Sequence, residues 1–333
     1  MEKAKITKEL YEEYCHGNIK FCDIIKKLNI SRFELEKQFK ENNFLHRRNV
    51  LKNTTKHDFF EKIDSELKSY LLGFYVADGC IYNDYFSISL TEQDKEIVQL
   101  FQNTIGPYFK ITYSPEYLSN NGYVSKPLYS ISIHSKQICE TLEKYGIGAN
   151  KTTTSNFNFS VVPESLMIHF IRGYFDGDGV VCATTGIKNQ NGKKYKYNNY
   201  NWSIISNKKE NLTPIQEFLF NSFNIKSNIL NDGRGHFLIE INKKDDFFLM
   251  RKILYNNANY FLKRKKDKFF SIQRTPDKIK KIVKLNEKKE IVETYKNLNE
   301  AGKKENVTGA CIKLRIKKNL IINGFSWDYL KND

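Results

Sequence analysis

Two stretches of this sequence end an apolar run on an acidic residue and a glycine. They are "YLLGFYVADGCI", from Tyr70 to Ile81, and "FIRGYFDGDGVV", from Phe170 to Val181. The carboxylates that recur are Asp78 and Asp178. Each falls at the C-terminus of a predicted helix, where the macrodipole is already negative and a carboxylate is disfavoured. If the two helices pair in parallel, both charges crowd together at one end. At ~4 Å they repel by roughly 4 kcal/mol at an effective dielectric of 20. Bound divalent cations reverse the sign of each of these terms. All-oxygen ligation by carboxylates and carbonyls suits Mg²⁺, which keeps several waters and binds phosphate well. One Asp-Gly is an ordinary turn dipeptide; two in matching contexts point to chemistry.

The helices that must position these carboxylates carry small residues four apart, Gly73 and Ala77 in one, Gly173 and Gly177 in the other. That spacing clears one helix face, so two backbones can approach closely. A glycine inside a helix costs roughly 1 kcal/mol against alanine, and packing of the two helices on each other supplies the reason for it. Leu71, Leu72, Phe74, Tyr75, Ile171, Tyr174 and Phe175 suit the core of each half. Gly79 and Gly179 suit a left-handed residue beyond the helix end. Asp176 is matched by Val76 in the other copy and is expected to be dispensable.

Both helices open a repeat. Strand candidates follow, "YFSISL" and "NWSIIS", then helices "DKEIVQLFQNTIG" and "NLTPIQEFLFNSF". Further strands "LYSISIHSK" and "HFLIEINKK" precede closing helices "QICETLEKYG" and "DDFFLMRKILYN". The order helix, two strands, helix, two strands, helix occurs twice, and the mixed order argues α+β. Gly-rich "NDGRGHF" reads as a hairpin turn.

The nonamers "LLGFYVADG" and "IRGYFDGDG" resemble the LAGLIDADG motif, and residues 59–270 resemble a two-motif homing endonuclease. The resemblance implies two pseudo-symmetric αββαββα halves, 59–150 and 151–270. It implies motif helices paired at a pseudo-twofold and sheets that sit in the major groove. It implies a site-specific double-strand DNA endonuclease leaving 3′ overhangs, with Mg²⁺ as cofactor and Mn²⁺ able to substitute. The metal ligands it implies are Asp78 and Asp178, with the carbonyls of Ala77 and Gly177. It also implies a lysine per site, met by Lys151 and Lys265, and a water-positioning polar residue, met by Glu92 and Asn207. An RNA-binding intron maturase and a cleavage-inactive DNA-binding regulator are the alternatives on the same fold.

The flanks fit that reading. In residues 1–50, helix "KFCDIIKKL", a break at "NIS" and a second helix capped by Ser31 give a helix-turn-helix pattern. Residues 284–333 hold two short helices around "ENVTG", with Thr308 as a cap, and resemble the modular DNA-binding repeats attached to homing nucleases.

The formal net charge is +16 over 333 residues, which favours polyanionic partners, with double-stranded DNA expected. From Phe261 to Lys289 stand 12 Lys/Arg against 3 acids. Six scattered cysteines form no C-x-x-C pair, which argues against a zinc knuckle or a disulfide framework. No apolar run is long enough to span a bilayer, and the N-terminus lacks a signal-peptide core. A cytoplasmic monomer without membrane contact or obligate protein partner is expected.

Overall fold

The computed structural model describes residues 4–118, 122, 124–148, 156–190, 193–274 and 281–330. It divides into two units, 1–273 and 274–333.

The larger unit begins with four short helices: α1 (Lys8–Cys15), α2 (Phe21–Leu28), α3 (Arg32–Glu41) and α4 (Arg47–Thr54). They close over their own core, which includes Leu10, Ile24, Leu35, Phe39 and Val50. Asn29 ends α2 with φ 50°, a left-handed conformation that asparagine tolerates better than most residues. The Ser31 hydroxyl accepts from the Glu34 N–H at 3.1 Å, capping α3. Arg47 ties this helical segment onward, donating from Nε to Cys15 O at 3.1 Å and from Nη2 to Tyr108 O at 3.4 Å.

Two α+β halves follow. The first runs α5 (Glu66–Asp78), β1 (Gly79–Tyr82), β2 (Tyr85–Thr91), α6 (Lys95–Ile105), β3 (Thr112–Ser114), a small hairpin β4–β5 (Tyr117–Leu118 and Val124–Ser125), β6 (Leu128–His134) and α7 (Lys136–Lys144). The second runs α8 (Met167–Asp178), β7 (Gly179–Gln190), β8 (Lys193–Ser206), α9 (Thr213–Phe223), β9 (Asn228–Asn231), β10 (Phe237–Ile241), α10 (Lys244–Tyr255) and α11 (Lys263–Ser271). The sheets share one plan, β1-β2-β6-β3 and β7-β8-β10-β9, with antiparallel neighbours.

Strand alternation makes both sheets one-sided. Phe86, Ile88, Ile131 and Ile133 point to the core in the first sheet, and Trp202, Ile204, Ile239 and Ile241 in the second. The opposite faces expose Tyr82, Tyr85, Ser89, Ser132 and His134, and Val180, Thr184, Tyr197 and Asn199. The halves differ in their first hairpin: β1 and β2 have 4 and 7 residues, β7 and β8 have 12 and 14.

In the smaller unit, β11 (Ile282–Leu285) lies between β12 (Ile291–Tyr295) and β13 (Ser326–Tyr329), with α12 (Leu298–Lys304) and α13 (Gly309–Lys317). Ile282, Tyr295, Ala301, Ile312 and Trp327 form its core. Thr308 Oγ1 accepts from Cys311 N–H at 3.2 Å and caps α13.

Candidate active site

The site is built on the contact between α5 and α8. A Cβ on Gly73 would lie 2.1 Å from Phe170 O, and one on Gly173 would lie 2.0 Å from Tyr70 O. One on Gly177 would lie 2.4 Å from Ala77 Cβ and 2.8 Å from Asp78 Oδ2. These contacts rise in step along both helices, so the helices run parallel and end together. Asp78 and Asp178 are the last residues of the two and share that end. Asp78 is exposed and Asp178 half-buried. At Gly173 the obstructing atom is backbone, so an added methyl must force the helices apart. Gly173→Ala is expected to cost about 3 kcal/mol or more, the upper range of core overpacking, read as a lowered thermal midpoint.

The glycines after the motifs are not left-handed, contrary to expectation. Gly79 has φ −73° and ψ 160°, and Gly179 φ −82° and ψ 157°, an extended conformation open to any residue. Glycine is needed there for space: a Cβ would lie 2.1 Å from the ring of Tyr75 at Gly79, and 2.1 Å from that of Phe175 at Gly179. Each chain turns directly from helix into strand with an aromatic ring folded across the junction.

Asp176, at the position valine fills in the first motif, belongs to a buried hydrogen-bond network. It is fully buried and accepts three hydrogen bonds: from Tyr70 Oη at 3.0 Å, Tyr255 Oη at 2.6 Å and Leu262 N–H at 2.7 Å. It thereby joins both motif helices, α10 and the start of α11. Burial raises its pKa to about 6, against the pull of its donors. A second buried knot lies at the other end of the helix pair. There Arg172 donates to Tyr260 O, Leu254 O and Glu66 Oε1, and Glu66 in turn accepts from Asn259 N–H and Nδ2.

The chain from Leu262 to Lys265 is tied at the carboxylate end. Lys265 is buried, and its Nζ donates to Phe175 O at 3.1 Å, to Gly177 O at 3.5 Å and to Gly179 O. It caps the carbonyl end of α8 with a positive charge. Burial lowers its pKa to about 8; the neighbouring Arg264 adds to this, and Asp176 and Asp178 oppose it. Lys263 N–H donates to Glu96 Oε1 at 3.0 Å. Arg264 forms a two-pronged pair with Asp94, Nε to Oδ1 at 2.5 Å and Nη2 to Oδ2 at 2.6 Å.

Lys151 lies outside the described residues. Glu92 is exposed in a single 3₁₀ turn, Glu92–Asp94. Asn207 is exposed, with Oδ1 2.6 Å from His236 Nδ1. These two are not equivalent positions. Gly79 pairs with Ile88 and Gly179 with Ile204, so Asn207 corresponds to Thr91, and Glu92 to Lys208. Asp94 and Arg264 escaped sequence reasoning. In "QDKEIV" Asp94 has the look of an ordinary helix cap, but its side chain makes no capping bond and is turned to Arg264.

Among the described residues no group of three or more His, Cys, Asp or Glu side chains converges as a self-sufficient metal site. The donors present are two carboxylates and main-chain carbonyls at one helix end, all hard oxygens. Glycine at 177 keeps clear the space in front of Asp78 Oδ2 that a Cβ would fill. Such a set suits Mg²⁺, which binds through one or two carboxylates together with substrate phosphate. The Gly177 carbonyl also faces the Lys265 ammonium, at 3.5 Å.

No protein-family model matches the chain. Over 173 residues it is 30% identical to the DNA-directed RNA polymerase subunit Rpo1C of Methanocaldococcus jannaschii. That match covers 51% of this chain and spans 18% of the subunit's length. Among solved structures, the homing endonuclease I-WcaI bound to its DNA recognition sequence is similar at 17% identity and a TM-score of 0.42. The overlap is 64% of this chain and 90% of that one. Full-length DUF199/WhiA is similar at 16% identity and a TM-score of 0.36, with 67% of each chain covered. Among the described residues no helix is long and apolar enough to cross a membrane.

Proposed function

We propose that the chain is a divalent-metal-dependent, site-specific double-strand DNA endonuclease. The observation that carries this reading is the convergence of Asp78 and Asp178 at one end of two glycine-locked parallel helices. Two symmetry-related carboxylates suit a substrate with two symmetry-related strands. The exposed sheet faces on either side, with their serines, asparagines, tyrosines and a histidine, suit a grooved duplex with a donor and acceptor pattern. The excess of positive charge suits its phosphates.

Asp78 and Asp178, with the Ala77 carbonyl, would hold Mg²⁺. When bound, the metal lowers the pKa of a water, neutralises the scissile phosphate and stabilises the leaving 3′ oxygen. The chain's own contribution is placement. Gly73, Gly173 and Gly177 bring the carboxylates within reach of each other. Asp176 fixes the helix end, and Lys265 holds the last carbonyls of α8 and puts a positive charge beside Asp178. The flanking helical segments would extend the recognised DNA and raise avidity.

Incubation with Mg²⁺ and fragmented genomic DNA of diverse origin tests the reading. Cutting at a small number of sites, lost with a chelator and restored by Mg²⁺ or Mn²⁺, is expected. Cutting that survives chelation contradicts it.

The Lys265 charge gives a second expectation. Its ammonium is present below a pKa of about 8 and lost as pH rises through that value. A dication held by Asp178 would push this pKa lower still, so the cleavage rate at saturating Mg²⁺ should fall on the alkaline side of a midpoint no higher than about pH 8. In Lys265→Met the rate should be low at every pH, and that alkaline limb should vanish.

A further inference from the structure

We infer that Arg264, oriented by Asp94, is a phosphate-binding residue on the Asp78 side of the site, and that Asp94 is its positioning residue. The inference rests on the DNA endonuclease reading above and adds to it a specific, one-sided contact. Asp94 is 7% exposed, at the end of the 3₁₀ turn that leads into α6. It grips Arg264 through Nε and Nη2. Nη1 and its two N–H groups lie beyond that grip, on a side chain that remains 43% exposed. The pair fixes the guanidinium plane, and the Lys263 N–H to Glu96 bond fixes the backbone behind it. A planar, pre-oriented guanidinium suits a phosphate better than a mobile ammonium does. The Lys265 ammonium, next in sequence, is turned inward onto main-chain carbonyls.

The electrostatics agree with that placement. Its hydrogen bonds to Asp94 raise the Arg264 pKa above its ordinary value, and the charges of Asp94, Asp176 and Asp78 add to this. The other half is built differently. The residue that ends the matching 3₁₀ turn there is Asn211, also buried. Its Oδ1 accepts from the Phe157 main-chain N–H at 3.1 Å. The segment after α10 thus reaches the turn before α6, and the segment after α7 reaches the turn before α9. One crossing delivers a guanidinium, the other a peptide N–H.

The test uses the whole chain and a duplex that it cuts, with each strand separately end-labelled. Arg264→Ala should slow cutting of one strand on the order of 10²-fold and the other far less. It should also flatten the dependence of log affinity on log salt by about 0.9, the loss of one phosphate contact. Arg264→Lys should restore the salt slope but not the rate. Asp94→Asn should show the same strand bias as Arg264→Ala. If Asp94→Asn does not fold, the two Arg264 variants decide alone. Equal slowing of both strands with a fall in thermal midpoint, or no change in either strand, overturns the inference while the endonuclease reading stands. A wild-type protein that neither binds nor cuts DNA overturns both.

Discussion

Asp78→Asn and Asp178→Asn should each reduce Mg²⁺-dependent cleavage by at least on the order of 10²-fold. A metal ion contributes several kcal/mol of charge stabilisation in a phosphodiester transition state, and each 1.4 kcal/mol is about tenfold in rate. An amide in place of a carboxylate keeps the shape, and therefore the helix contact, but removes the charge that holds the ion. The variants should fold with thermal midpoints close to the parent. They should still bind duplex DNA, because phosphate contacts come from the basic surface. Rate, binding and unfolding measured side by side check this. Loss of binding together with loss of cutting would mean that these carboxylates serve the fold and not the reaction.

Asp176→Val should destabilise the protein by about 3–5 kcal/mol, the scale set by breaking a buried charged network from one side. Valine is the residue at the matching position of the first motif, Val76, so the substitution makes the two helices more alike in sequence. In the structure it leaves Tyr70 Oη, Tyr255 Oη and Leu262 N–H without the oxygen atoms they donate to. Each buried donor so orphaned costs about 1–3 kcal/mol. Denaturant unfolding reads the total. The same carboxyl gives a pH dependence of known sign. Burial raises its folded pKa to about 6 from an ordinary value of 3.8, so the folded state holds this proton more tightly than the unfolded chain. Its contribution to stability is full below about pH 4 and is lost as pH rises through about 6. The parent should therefore lose stability over that window by an amount that Asp176→Val does not show.

Much of this site was legible in the sequence, because the signals were local. Gly73, Gly173 and Gly177 announce a close helix contact through spacing alone. Asp-Gly after an apolar run marks the helix end, and strand alternation gives both sheets. What escaped depends on partners far apart in the chain. Asp176 looks replaceable because Val76 stands at the matching position of the first motif. Nothing local to Asp176 reveals that Tyr70, Tyr255 and Leu262 meet around it. Asp94 is hidden by a helix start that any aspartate suits, and its partner Arg264 sits among Lys263, Lys265 and Lys266, whose order gives no clue to which one points outward. The conformation of Gly79 and Gly179 is hidden from the sequence for a related reason. A glycine after a helix has two uses, left-handed backbone or room for a ring, and only the folded positions of Tyr75 and Phe175 show that it is the second. Glu92 and Asn207 are out of register because β2 runs on to Thr91, three residues past Ile88, and β8 stops at Ser206, two past Ile204, while equivalence is fixed by the pairing of Ile88 with Gly79 and of Ile204 with Gly179.

In the function proposed above, Asp78 and Asp178 together form a metal-dependent centre that cuts both strands of DNA at a chosen site. Sequencing of the DNA ends made from fragmented genomic DNA tests it most directly, with the parent and the Asp78→Asn/Asp178→Asn double variant compared in Mg²⁺. The account predicts paired ends on opposite strands, recurring at a few sequences and offset to leave 3′ overhangs, in the parent only. The same paired ends in the double variant, or ends scattered without sequence preference in the parent, would contradict it.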